Sequence, residues 1–403
     1  MEKTLLICDH YPLPENIGMN MRTMNFVRFF RDYGTVDVAY SIASPGVESG
    51  NPIFNNEFYL QGENSSKRFQ KRLLRWINIK DRPLPISRYN EVSEKKLFSI
   101  IESEGYDYIF IRYLFYTWSL LKLTGKYKMR TIVDFDDLLS GSLAESEISS
   151  ANGSFRKFRL KLNQKYLMDY EKKCLNFGAS TFCSEKDRLK VVGENDTGNS
   201  FIIPNIYHNQ SFKDFNFGDG FEKGNNLLFV GNLNYKPNVQ GLKWFIESVF
   251  SDLKKEYTDT KLLVVGLIPN KMIRNLCESD ADIELYSNVP DTKGYYKKCK
   301  AVIVPLLTGG GTRIKILEAA MANRPVLSTP TGAEGLDLVD DRDLLLFENV
   351  RDFSTQYRKL LKNDKYNSLI NNAKNLVLSK YSLQRFNDGM KNVLDRVSYK
   401  TIT

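Results

Sequence analysis

The sequence predicts an α/β protein made of two Rossmann-like, doubly wound domains, and three observations lead there. The chain has 403 residues, about two to three times a usual domain, so it is long enough for two hydrophobic cores. Short β-branched or apolar runs alternate with helical patterns almost throughout, as parallel sheets covered by helices require. A polar passage rich in Gly and Asn at 208–225 then interrupts the alternation, which restarts beyond it.

In the first half the expected strands are 4–8, 35–40, 108–111, 131–135, 180–183 and 200–203, with amphipathic segments such as MNFVRFFRDY and 155–177 between them. In the second half they are 227–231, 261–266, 282–285, 301–306, 325–328 and 344–347. This gives an N-terminal domain over 1–207, a linker over 208–225 and a second domain over 226–381. In 382–398, Leu383, Phe386, Met390, Val393 and Val397 recur at helical spacing. Ligands of such sheets sit at the carboxyl ends of the strands.

Composition narrows the class. With 42% hydrophobic and 26% charged residues and no low-complexity tract, the chain is neither disordered nor collagenous. Its net charge of +9 suggests an anionic partner, and the excess is local. Residues 67–88 hold eight cations, among them Lys67, Arg68, Lys71, Arg72 and Arg75 around Trp76, against Asp81 alone, a net of +7. Residues 151–174 hold seven cations against Asp169 and Glu171, a net of +5. The first patch reads as an amphipathic helix suited to an anionic membrane or a lipid-phosphate acceptor. The second mixes its cations with Phe155, Phe158, Leu160 and Leu162. For both, the plain alternative is a surface helix whose Lys and Arg stems cover apolar surface.

The five cysteines are scattered without C-x-x-C spacing, which fits a reducing cytosol rather than a disulfide framework or a zinc site. The apolar run at the N-terminus ends at Asp9, too short for a signal peptide, and runs such as LLVVGLI fall short of the roughly 20 residues of a spanning helix. The expected location is cytoplasmic, on the inner face of a membrane if the basic patches bind one.

The richest segment follows the strand at 301–306. It is the loop LTGGGT and a helix expected to begin near Thr312, with Ile314, Leu317 and Met321 facing the sheet. A helix start carries about +0.5 of a charge and favours acids. This one has Arg313 and Lys315 and no acid, a conflict that an anion from outside would resolve. Gly310 and Gly311 permit close backbone approach, and free N–H groups add donors, so a phosphate or diphosphate is the natural guest. The plain alternative is a solvated Lys315–Glu318 pair beside an ordinary turn. Neither G-x-x-x-x-G-K-[ST] nor a nicotinamide-type G-x-G-x-x-G after the first strand is present.

FVGNLNYKPNVQGLKWFIESV, KLLVVGLIPN and NVPDTKGYYKKCKAVIVPLLTGGGTRIKILEAAMANRPVLSTPTGAEGL together resemble the donor-binding half of family 4 glycosyltransferases, closely over about 226–348. The first half is similar in Gly18 and Arg22 after the first strand, in CSEKD and in IIPNI. The resemblance implies a GT-B fold, two domains facing each other across a cleft, and a last helix that crosses back to the N-terminal domain. It also implies a retaining, metal-independent enzyme without a cofactor, which moves a sugar from a nucleotide diphosphate to a glycan or lipid-linked acceptor. Glu318 matches the ribose-binding glutamate and Lys236 the diphosphate-binding lysine. Thr312, Arg313 and Lys315 stand in the phosphate loop, with Gly231 and Asn232 at the end of the preceding strand, and the backbone near Val289 would meet the base. Two positions depart from the pattern. Gly310 stands where a sugar-contacting glutamate is usual and Asn232 where an arginine is common, so phosphate neutralisation is expected to shift to Arg313.

On the acceptor side, His10 ends the first strand and could hydrogen-bond sugar or acceptor; the plain alternative is a structural histidine satisfied by a loop carbonyl. Asp134, Asp136 and Asp137 stand at the end of the strand TIVDF, where Asp134 or Asp136 would contact acceptor hydroxyls, or Asp137 would cap the next helix. Their D-x-D spacing also invites a metal reading, disfavoured because a second sheet carries its own phosphate loop. Two other functions remain open. One is a nucleotide-sugar epimerase of the same fold, for which no carboxylate and histidine set is evident. The other is a non-catalytic nucleotide or nucleic-acid binder, although no nucleic-acid motif is present.

Overall fold

The computed structural model describes residues 1–15, 17–42, 50–60, 91–112, 120–141, 144, 147–148, 151–194, 198–206, 216–217, 225–309 and 313–402. The chain divides into two units, Met1–Pro204 with Phe386–Thr403, and Asn205–Arg385.

The first unit is built on seven strands: β1 Glu2–His10, β2 Gly34–Ile42, β3 Glu57–Tyr59, β4 Tyr108–Arg112, β5 Thr131–Phe135, β6 Ala179–Phe182 and β7 Ser200–Ile202. They lie in the order β3-β2-β1-β4-β5-β6-β7, parallel at each pairing. Side chains alternate across the sheet, as the period of two demands. Leu5, Ile7, Ile109, Ile111 and Val133 pack on one side with Leu97, Ile101, Leu167 and Tyr170. On the other side, Phe26 and Phe30 of helix α1 (Gly18–Arg31) meet Phe110. β3 was not among the expected strands, being three partly exposed residues at the sheet edge.

The second unit repeats the plan with six strands: β8 Leu227–Asn232, β9 Leu262–Leu267, β10 Ile283–Ser287, β11 Ala301–Val304, β12 Val326–Ser328 and β13 Leu345–Leu346. Their order is β10-β9-β8-β11-β12-β13. Alternation again separates two cores. Leu227, Phe229, Leu262, Val264, Ala301 and Ile303 face one side; Leu228, Val230, Leu263, Val265, Val302 and Val304 face the other. Phe217, from the segment expected to be linker, is buried in the second of these cores. Most of the remaining linker lies outside the described residues.

Both sheets are the doubly wound type foreseen, and each has one point where strand order reverses: between β1 and β4, and between β8 and β11. Loops diverge there above the carboxyl ends of the strands, which leaves a crevice for a ligand. The contents of these two crevices differ.

Candidate functional site

At the β8/β11 point, two segments converge. After β8 the chain turns into helix α2 (Lys236–Trp244), which approaches β11 so closely that a Cβ on Gly241 would come 2.2 Å from the Pro305 carbonyl oxygen. After β11 the loop leads to helix α3 (Ile314–Met321), which starts two residues later than expected, with Arg313 as its N-cap. Arg313 is buried and folds back so that Nη2 donates to the Gly309 carbonyl at 2.8 Å. No acid stands in the first turn of α3. Gly310, Gly311 and Thr312 lie outside the described residues.

Lys315 joins the two segments. Its Nζ donates to Asn238 Oδ1 at 3.1 Å and lies 4.7 Å from the centre of the Phe229 ring. Asn238 is fixed in turn, its Nδ2 donating to the Asn232 carbonyl at 3.0 Å. Gly231 lies beneath them, where a Cβ would come 2.8 Å from Asn238 Nδ2 and 3.0 Å from Lys315 Nζ and so press on both side chains. The Asn232 side chain accepts from the Asn234 amide at 2.9 Å, which shapes the turn into α2. Lys236 opens that helix and is exposed.

One turn along α3, Glu318 is half-buried. Tyr296, on the short helix Lys293–Lys298, donates its hydroxyl to Glu318 Oε2 at 2.9 Å. Val289 is half-buried beyond the end of β10 and packs against the core beneath α3. The solvated Lys315–Glu318 pair is therefore not what forms. Burial drives the Lys315 ammonium down to about 7, Arg313 repels it further and Glu318 opposes the shift. Burial likewise raises the Glu318 carboxyl to about 7, against the Tyr296 hydrogen bond and the Lys315 charge. Arg313, Lys315 and Glu318 thus stand together at the start of α3, with both ends of the Lys315–Glu318 couple poised near neutrality.

The β1/β4 point is filled differently. Arg22 of α1 and Arg112 at the end of β4 are buried, at 1% and 0% exposure, and both grip Asp134, itself fully buried at the end of β5. Arg22 Nη2 donates to Asp134 Oδ1 at 2.6 Å, and Arg112 Nη1 donates to Asp134 Oδ2. Thr181 donates to Oδ1 at 2.6 Å. Burial opposes the Arg22 charge, and the Asp134 carboxylate overcompensates, holding the guanidinium above its usual range. Arg22 Nη1 also donates to the Ile203 carbonyl at 2.7 Å.

This corrects the expectation that Asp134 meets acceptor hydroxyls and that Arg22 is an acceptor-side contact: neither has surface to offer, Asp134 being held by Arg22, Arg112 and Thr181 and Arg22 by Asp134 and the Ile203 carbonyl. Asp136 lies at the edge of the cluster, accepts from Arg112 Nη2 at 3.0 Å and keeps partial exposure. Guanidinium groups thus engage both aspartates of the D-x-D pair, Asp134 fully and Asp136 in part. Among the described residues no group of three or more His, Cys, Asp or Glu is arranged to hold a metal. No described helix begins at Asp137. His10 ends β1 half-exposed, with Nδ1 3.4 Å from Asp9 Oδ2, and Gly18 is the exposed first residue of α1.

The second basic patch is a helix, Ser154–Cys174, with two apolar faces. Leu167, Tyr170 and Cys174 enter the core of the first unit. Phe155 and Phe158, three residues apart, stay 73% and 63% exposed, among exposed Arg156, Lys157, Lys161 and Lys165. The first patch, with Lys67, Arg68, Lys71, Arg72, Arg75 and Trp76, lies outside the described residues. No described helix is long and apolar enough to cross a membrane.

Residues 224–363, within the second unit, match the family profile described as Glycosyl transferases group 1. An uncharacterized 44.6 kDa protein in the cps region of Klebsiella pneumoniae is 25% identical over 354 residues, 83% of this chain and 84% of that one. Two solved structures share the fold at low identity. WaaG, a glycosyltransferase involved in lipopolysaccharide biosynthesis, superposes with a TM-score of 0.69 at 14% identity, over 97% of this chain and 99% of that one. Anabaena Alr3699/HepE, solved in complex with UDP-glucose, gives 0.65 at 10% identity, over 98% and 100%. These likenesses establish the fold as that of GT-B glycosyltransferases.

Proposed function

We propose that the protein is a retaining, metal-independent glycosyltransferase that takes a sugar from a nucleotide diphosphate and passes it to a glycan or lipid-linked acceptor in polysaccharide or glycolipid synthesis. The carrying observation is the Lys315–Asn238–Gly231 junction at the β8/β11 point, with Arg313 at the start of α3 and Glu318 one turn along. Departure of a nucleoside diphosphate puts negative charge on the leaving oxygens. Cations already oriented in a partly dry crevice stabilise that charge without reorganising. Lys315, Arg313 and Lys236 serve the diphosphate, Glu318 accepts from ribose hydroxyls, and the backbone near Val289 meets the base. On the acceptor side, Asp136 and His10 are the residues with surface left for a hydroxyl.

The test is thermal unfolding of the whole protein with UDP, GDP, ADP and CMP and their sugars. The Anabaena structure holds UDP-glucose, so the uridine arm comes first. A ligand at 100 times its dissociation constant should stabilise by about 2.7 kcal/mol; no response to any nucleotide would sink the reading. Sugar transfer that is lost with EDTA and regained with manganese would overturn its metal-independent part.

The helix Ser154–Cys174 supports a further part of this reading, peripheral attachment to an anionic membrane. Its outward Phe155 and Phe158 have no partner in the first unit's core, and the lysines around them match an anionic surface. Each such cation is worth about 1 kcal/mol near anionic lipid. Phe155→Ser/Phe158→Ser should lower flotation with vesicles containing anionic lipid at least several-fold while leaving nucleotide binding unchanged. Equal flotation of both proteins would remove this helix as the attachment point.

A further inference from the structure

We propose that Tyr296 is a positioning residue for the ribose-binding carboxylate, its hydroxyl holding Glu318 in the orientation that lets it discriminate ribose from deoxyribose. This rests on the reading of Glu318 given above. Tyr296 is completely buried, and its hydroxyl reaches Glu318 Oε2 at 2.9 Å. Its main chain is anchored as firmly. The Tyr296 carbonyl accepts from Arg324 Nε at 2.8 Å, and the buried Arg324 guanidinium is itself tied to the Phe217 and Asn323 carbonyls at 2.8 Å each. A phenol fixed at both ends can hold a carboxylate in one plane.

A carboxylate offers about four acceptor sites on two oxygens. With one taken on Oε2, Glu318 keeps Oε1 and the rest of Oε2 for the neighbouring hydroxyls of a ribose. The groups that act on its charge are Tyr296 from the adjoining helix and Lys315 from its own, with Arg313 acting on Lys315. Loss of the phenol frees the side chain to rotate in a partly apolar pocket. It also favours the neutral acid, a poorer acceptor, so the ionisation of Glu318 moves to higher pH.

The experiment measures binding of UDP and 2′-deoxy-UDP, with the GDP pair in parallel, to the full-length protein and to Tyr296→Phe, which keeps the ring in place. The ribonucleotide should weaken about tenfold and the deoxynucleotide by less than threefold, as expected for loss of a hydrogen bond to a charged group. The rise of affinity with pH that reports Glu318 ionisation should move upward. In a Glu318→Gln background, Tyr296→Phe should change affinity by less than twofold, because its effect passes through that carboxylate.

Equal weakening of both sugars, additive with Glu318→Gln, would mark a purely structural tyrosine and overturn the proposal. Wild-type protein that binds no nucleotide would overturn the parent reading along with it, whereas wild-type binding with an unaltered Tyr296→Phe would overturn this inference alone. If Tyr296→Phe does not fold, Glu318→Gln and Glu318→Asp carry the test. Neutralising or withdrawing the carboxylate that Tyr296 holds should remove the same ribose preference, and a preference intact in both would sink the idea.

Discussion

Replacing Lys315 by methionine is expected to raise the melting temperature of the ligand-free protein and, in the same molecule, to remove most of the stabilisation that a nucleotide confers. Both effects follow from where the amine sits. Folding moves Lys315 from an ordinary 10.5 down to about 7, chiefly by burial. Holding it protonated in the native state therefore costs stability. That cost is absent well above pH 10.5, grows as pH falls toward 7 and is constant below, so methionine should help more at pH 6 than at pH 9. The Phe229 ring beneath the amine accepts a thioether without strain.

With a diphosphate bound, the balance reverses. A hydrogen bond to a charged group contributes roughly 1.5–3 kcal/mol, so Lys315→Met should weaken nucleotide binding about 10- to 100-fold. In the wild type, binding above pH 7 requires Lys315 to take up a proton, so affinity should fall by up to about tenfold per pH unit there. Below pH 7 the protonation of Glu318 opposes ribose binding, which places the optimum near neutrality. Calorimetric titration across pH 5.5–9 in buffers of different ionisation enthalpy would check both limbs. A methionine variant that binds as tightly as wild type, with no change in pH dependence, would refute the role.

The second large effect is expected at Asp134. Asp134→Ala leaves Arg22 and Arg112 with two buried charges and, of the two carboxylates they share, Asp136 alone. Removing one partner from such a cluster costs about 3–5 kcal/mol, on the order of 10 °C in the unfolding of a unit this size. The nucleotide response of the second unit should persist in the variant, which shows that the loss is confined to the first unit. Restoring neutrality with Arg22→Met in the same chain, which leaves Arg112 paired with Asp136, should recover much of the loss. Differential scanning calorimetry that finds Asp134→Ala within 1 kcal/mol of wild type would contradict the assignment.

The two crevices show what can be read before the chain is folded. Periodicity located the strands well, because Leu227 to Val230 or Ile109 to Ile111 must be apolar whatever they pack against. It missed β3, whose three residues bury too little to leave a pattern. The cation-rich, acid-free start of α3 was legible because the conflict is local. The identity of the partners was not. Asp134 looked ligand-facing at the end of a strand, yet its guanidinium comes from Arg22, 112 residues earlier. Lys315 looked like the neighbour of Glu318, yet its acceptor, Asn238, is 77 residues away. Arg112, Asn238 and Tyr296 went unnoticed for the same reason: YIFIR, KPN and GYYKKC carry nothing unusual until tertiary pairing defines it. The helix Ser154–Cys174 hid its division of labour because two apolar faces blur a single amphipathic pattern.

The first unit takes its last helix from the far side of the second. Residues 386–403 belong with 1–204, and Phe386, Met390, Val393 and Val397 are buried there, with Phe386 against Phe26. In terms of sequence, the second unit is an insertion into the first. During synthesis residues 205–385 leave the ribosome before the helix that closes the first unit, so the downstream unit can complete its core while the upstream one still exposes Phe26 and Phe29. Vectorial folding thus runs out of order here, and the first unit waits with open apolar surface until residues 386–403 have been made.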